Sequence, residues 1–244
     1  MWEAKTMRAV SLLTACSVML SLSGCMTQDE LLPFDGSRVT LLQLAPLIEG
    51  EDIAVISTDF GEIRMRFFPS EAPNAVNNFV TLAREGFFND RAVIGPRGLL
   101  ASSLPVLISG SSDDSGKKGV SRVGGKPFKQ EISANLWQIT GAVSVLDDTD
   151  KGDSRFFIAG SRPVPEWQLD EIEAACYPQN VIEAYRTYGG LPEYSLEYSV
   201  FAQVVQGQEV VDGMIESLQT GGKGLTINTV EIISYDPDGD TADP

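Results

Sequence analysis

The 244-residue sequence contains no histidine. That absence alone excludes Ser-His-Asp and Cys-His nucleophilic relays and any zinc site built on imidazole. Cysteine is nearly as scarce: of three, Cys16 and Cys25 fall in the N-terminal leader discussed below, which leaves Cys176 and no intramolecular disulfide framework. Basic residues are few, 18 against 34 acidic ones, and they form no cluster, so the formal charge is −16. Phosphate backbones are bound by grouped Lys and Arg, so the sequence predicts no nucleic-acid partner. The acidic surplus reads instead as a solubility feature. Asp147-Asp148-Thr149-Asp150 is rich in oxygen ligands but lacks the glycine and the terminal glutamate of a calcium loop, so it reads as a solvated turn; no metal and no cofactor is expected.

What is present is an apolar content of 43%, enough for one sizeable core, and nothing demands a second domain. Lys5 and Arg8 precede an apolar run from Ala9 to Leu22, shorter than the roughly 20 residues of a membrane span. Leu22-Ser23-Gly24-Cys25 then resembles a bacterial lipobox. The resemblance implies a lipoprotein signal peptide over 1–24, cleavage before Cys25 and acylation of that residue, which anchors the chain to a membrane in the bacterial cell envelope. Met26 in place of aspartate points to the outer membrane where a cell has two. Residues 25–50 read as a tether with one packed turn, 51–235 as the folded domain, and 236–244 as a disordered acidic tail.

Within the domain, Ile53 to Thr58 and Glu62 to Phe68 read as a hairpin about Asp59-Phe60-Gly61. A helix follows, with Ser70 as its expected N-cap, Val76, Phe79, Val80 and Ala83 on one face, and Gly86 at its end. Ala101 to Ser109 and Gly141 to Val145 are strand candidates. Ser154-Arg155-Phe156-Phe157-Ile158 reads as a buried strand after a turn-rich segment. Residues 163–192 carry two helical periodicities stopped by Gly189-Gly190; Val210 to Ser217 is a further helix, and Leu225 to Tyr235 a closing strand that would pair with the first.

Three blocks stand in a telling order: the run from Ile56 to Phe88 with its Ala72-Pro73, Val76 and Asn78-Phe79; Ser154 to Ile158; and Tyr198 to Ile215 with its Val200-Phe201-Ala202-Gln203-Val204 and Val210-Val211-Asp212. Together they resemble the cyclophilin-type peptidyl-prolyl isomerases, over about residues 53 to 235. The resemblance implies a mainly β fold, a closed antiparallel β-barrel flanked by two helices, with 163–192 as an extra helical insertion beside the groove. It also implies proline-containing polypeptide segments as partners.

Prolyl isomerisation needs neither nucleophile nor metal. The amide barrier, roughly 18–20 kcal/mol, falls when the twisted form is bound more tightly than the planar ones. The family does this with an arginine that donates to the proline nitrogen. Counting forward from Gly86-Phe87-Phe88 puts Gly95 at that position, and counting back from Leu107-Ile108-Ser109-Gly110 puts Ala101 there. Neither is an arginine. Arg155, where the family has glutamine, is the compensating catalytic candidate; pairing with Asp147 or Asp153 is the competing expectation. The resemblance assigns the substrate pocket to Phe157, Val106, Leu107, Ser109, Val145, Leu146, Tyr194 and Tyr198. The implied activity is an isomerase that assists folding of exported proteins, weakened by the displaced arginine; the alternative is an inactive peptide-binding, chaperone or scaffold module.

Overall fold

Strand formation follows the alternation of β-branched and apolar residues, and the register decides which side chains reach the core. In the computed structural model, residues 35–96, 98–113, 115–146 and 151–238 are described. The signal peptide, Cys25, the Asp147–Asp150 turn and the end of the acidic tail lie outside them. Strands β1 (Asp52–Thr58) and β2 (Gly61–Phe67) form the expected hairpin. With β3 (Arg91–Ala92), β4 (Val106–Ser109), β6 (Ala142–Val145), β8 (Phe156–Ala159), β9 (Val200–Gln206) and β10 (Thr226–Ser234) they make one antiparallel sheet in the order β3-β10-β1-β2-β9-β6-β8-β4. The closing strand pairs with the first, Asp52 opposite Ser234. The sheet's two ends meet where Ile94 and Ile108 exchange backbone hydrogen bonds of 2.9 and 2.8 Å, which rolls it into a barrel. β5 (Phe128–Lys129) and β7 (Lys151–Gly152) form a separate two-stranded ribbon.

The barrel interior is packed by Ile56, Met65, Leu107, Val143, Val145, Phe156 and Ile158, closed by helix α1 (Pro73–Arg84) through Phe79 and Leu82 and by α4 (Gln208–Gln219) through Val211 and Met214. Phe79 is the hub: its ring stacks on Phe88 at 4.5 Å and meets Phe156 edge-on at 5.5 Å. A second cluster, on the outer surface of the same strands, gathers Phe157, Val106, Ile108, Leu146 and Tyr198. The insertion forms α2 (Glu166–Ala174) and α3 (Gln179–Tyr188), whose apolar faces bury Trp137, Leu169, Val181 and Tyr185 in a third cluster.

Two expectations need correction. Helix α1 is not capped by Ser70: it begins at Pro73, and its N-terminal amides donate to Glu131, Asn74 N at 3.0 and 3.1 Å and Ala75 N at 3.0 Å. A carboxylate from a distant loop thus does what a local side chain would otherwise do, and it also meets the positive end of the helix dipole. Glu131→Ala is expected to cost about 1 kcal/mol of stability and Glu131→Gln less, read by urea denaturation of the full chain.

The second correction concerns the tether, whose last part belongs to the folded body. Gln43 is buried, accepts from Trp137 N and donates to Trp137 O and Gln203 Oε1. Thr40 N donates to Asn135 Oδ1, and the Arg66 guanidinium donates to Ala45 O.

Candidate active site

Side chains alternate across a strand, so the register sorts the expected pocket residues into two sets. Phe157 pairs with Ile108 on β4 and with Ser144 on β6. On that outer face the structure brings together Phe157, Val106, Leu146, Tyr194 and Tyr198. Three aromatic rings make its centre: Tyr198 meets Phe157 edge-on at 5.2 Å, Tyr194 meets Phe157 at 6.1 Å, and the two tyrosines lie 5.1 Å apart. Leu107 and Val145 point the other way, into the barrel. Ser109 pairs with Phe156, a barrel-facing residue, and its Oγ donates to Ala92 O at 2.9 Å. These three are therefore not gathered with Phe157. Ile108, which the one-residue offset had hidden, takes the outward place beside it.

The same register locates the segment that carries the family's arginine. The chain after β3 meets β4 at Ile94 opposite Ile108, and Ile94 belongs to the Phe157 cluster while Val93 belongs to the interior. From this segment Ile94 faces the site and Gly95 does not, while Ala101 packs against the same cluster from the covering loop. An isoleucine has no hydrogen to donate to an amide nitrogen. The two counts differ because residues 95–105 form a longer connection than the resemblance allows for.

Arg155 does not supply the missing donor. Its guanidinium is buried against Asp153, Nη2 to Oδ2 at 2.8 Å and Nε to Oδ1 at 3.0 Å, and Nη1 donates to Lys117 O at 3.0 Å. The arginine side chain is 3% exposed and the aspartate 10%. Gly119 explains how the carboxylate fits: a Cβ there would lie 1.9 Å from Asp153 Oδ1. Of the two expectations for Arg155, pairing with Asp153 is the arrangement observed.

The site is also covered. Phe157 is 0% exposed, and Leu100 and Leu104, from the connection before β4, are buried in the same cluster. Ala101 N donates to Tyr194 Oη at 2.9 Å, fastening that connection to the site's rim. Behind the rim, Arg162 holds Glu193 through two bonds of 2.6 and 2.7 Å, and Tyr185 Oη accepts from Gln138 N and bonds Ser195 Oγ. The rim segment 193–198 is thereby attached to both insertion and barrel. Sequence reasoning missed Ile94, Leu100 and Leu104; the Leu-Leu and Leu-Pro pairs in an otherwise polar loop were the available signal. A cleft among Leu47, Ile53, Arg64, Val205 and Tyr235 lies apart from this cluster and presents Arg64 already paired with Glu62.

Burial raises the hydroxyls of Tyr194 and Tyr177 to about 12 and pushes Tyr185 higher still. Folded pKa values above the unfolded one, near 10, mean that the tyrosines favour the folded state fully below pH about 10, and that this contribution is lost as pH rises toward about 12. The melting temperature is expected to fall steeply above pH about 10, and Tyr185→Phe to blunt that fall, in thermal melts from neutral to alkaline pH.

Comparisons with known proteins agree with this geometry. The sequence model of the family described as cyclophilin type peptidyl-prolyl cis-trans isomerase matches residues 53–236. A Staphylococcus saprophyticus protein named "Putative peptidyl-prolyl cis-trans isomerase" is 28% identical over 201 residues, covering 78% of this chain and 97% of its own. One of the same name from Staphylococcus aureus strain USA300 is 28% identical over 191 residues, covering 77% and 92%. Among solved structures, a Cryptosporidium parvum cyclophilin type isomerase, crystallised in the presence of the dipeptide Ala-Pro, superposes with a TM-score of 0.55 at 21% identity, covering 75% of this chain and 99% of that one. With a barrel of this strand order and a family match across most of its length, the chain belongs to the cyclophilin-type peptidyl-prolyl cis-trans isomerase family.

Proposed function

We propose that this cyclophilin binds proline-containing segments of exported proteins at the Phe157 face and turns their prolyl bonds weakly. The observation that carries this reading is Ile94: the apolar and aromatic wall that would hold a proline ring is present, while the residue facing it from the adjoining segment has no donor for the twisted nitrogen. The solved relative crystallised in the presence of Ala-Pro supports a proline-containing ligand. The second reading, a peptide-holding or scaffold module that leaves the rotation rate unchanged, is favoured by the same isoleucine and differs only in residual rate.

The cellular side of the proposal rests on Leu22-Ser23-Gly24-Cys25, through which acylated Cys25 would hold the domain at the envelope membrane. Among the described residues no helix is long and apolar enough to cross a membrane. Cys25→Ser is expected to release the protein from the membrane fraction of a bacterial host. Refolding of a proline-limited substrate, followed by fluorescence with the full chain in excess, tests the activity: a small acceleration supports the first reading. None at any concentration, with peptide binding intact, leaves the second.

A further inference from the structure

The connection between Ile94 and β4 departs from the family pattern, and it folds onto the site rather than away from it. Leu100 is 1% exposed and Leu104 7%, Leu99 and Ala101 are half-buried, and Ser102 and Ser103 face solvent. Two buried leucines flanking two exposed serines make a staple, with both apolar ends in the Phe157 cluster. The staple is shaped by its own turns: Leu99 N donates to Pro96 O at 2.7 Å, Leu104 N to Ala101 O at 3.1 Å. Its attachments at the site include the hydrogen bond from Ala101 N to Tyr194 Oη, the two buried leucines, and the half-buried Leu99 and Ala101 packed against the same cluster. At its far end Pro105 O accepts from Gly160 N, where the loop becomes strand.

A peptide approaching Phe157 would need the space these leucines fill. It would bring the same chemistry, an apolar side chain over the aromatic rings. Resting on the reading that the Phe157 face is the peptide site, we propose that residues 98–104 are an intramolecular stand-in for the substrate, so that the site is latent until this loop is displaced. A short loop held to the site largely by apolar side chains suits a segment that must yield to a peptide bringing apolar contacts of its own. The affinity observed for peptide is then the intrinsic affinity reduced by the fraction of molecules with the loop open. The leucines also indicate what displaces them best: segments with a leucine-like residue near the proline, rather than polar or charged ones.

The test uses a fluorescein-labelled hexapeptide containing Leu-Ala-Pro, titrated by polarisation into the full chain, a Leu100→Ser/Leu104→Ser variant and a Tyr194→Phe variant. Tyr194→Phe keeps the ring against Phe157 and removes only the acceptor of the Ala101 amide, so it informs even where the double variant does not fold. The double variant is expected to bind about tenfold more tightly than the parent and Tyr194→Phe about threefold more tightly. Hydrogen exchange of residues 99–104 in the parent should quicken when peptide is added. Equal affinities in parent and variants would overturn the latent-site inference while leaving the Phe157 face as the peptide site. Absence of binding in every folded variant would overturn that assignment and the inference with it.

Discussion

Arg155→Ala is expected to lower the stability of the domain by about 3–5 kcal/mol, because it leaves the Asp153 carboxylate buried without its cation. The aspartate cannot turn to solvent cheaply: Gly119 backs it, and its oxygens already accept from Arg155 N as well as from the guanidinium. Against a total of about 5–15 kcal/mol for a domain of ordinary stability, that is a large fraction. Urea denaturation of the full chain, with Asp153→Asn beside it, gives the comparison. Both variants should lose stability, and residual isomerase rate per folded molecule should stay at the parent's level. A stable Arg155→Ala chain that has lost its rate would instead put the guanidinium at the substrate.

Phe157→Ala is expected to cost about 3–5 kcal/mol, the range for truncating an aromatic residue within a closed core. The size of this effect separates two pictures of the site. At the floor of an open groove, part of the ring would already face water and its removal would leave a wider groove. Here the ring is fully buried beneath Tyr194, Tyr198 and the loop leucines, so its loss leaves a cavity that the barrel strands on either side cannot close. Phe157→Leu should recover most of the loss. A cost for Phe157→Ala near 1 kcal/mol would mean that the covering loop is open for much of the time.

The barrel was legible in the sequence because its strands are runs of β-branched and apolar residues bounded by turn formers. Ile53 to Thr58, Ser154 to Ile158 and Leu225 to Tyr235 were placed within a residue or two of β1, β8 and β10, and the pairing of first and last strands followed from closing the edge. The two helices of the insertion were equally plain, since Gly189-Gly190 stops the second and the structure puts both glycines against backbone: a Cβ on Gly190 would lie 2.3 Å from Gln138 O. Contacts between distant segments were not legible. Glu131 caps a helix 57 residues away in sequence, and Gln43 bonds partners 94 and 160 residues on. Nothing in local pattern encodes such reach.

The candidate site was legible in part, for a reason that can be traced to one loop. Phe157 and Tyr198 sit inside matched blocks and Tyr194 just ahead of one, and the structure unites them. Leu107 and Ser109 were placed in the pocket by a register one residue off, and in a strand one residue exchanges inside for outside. Ile94 escaped because residues 95–105 are longer than the resemblance assumes, so counts from the two sides cannot meet. Only the Ile94–Ile108 bridge fixes the position.

The account turns on a peptide site whose wall is present and whose donor is not. Exchange spectroscopy by NMR on an Ala-Pro-containing peptide, with the full chain at a peptide-saturating concentration, measures both at once. The predicted result is shifted peptide resonances, showing binding, with a cis-trans exchange rate only slightly above that of the free peptide. Exchange as fast as an arginine-bearing cyclophilin gives under the same conditions would contradict the account, because no group at Ile94 or Arg155 is disposed to produce it.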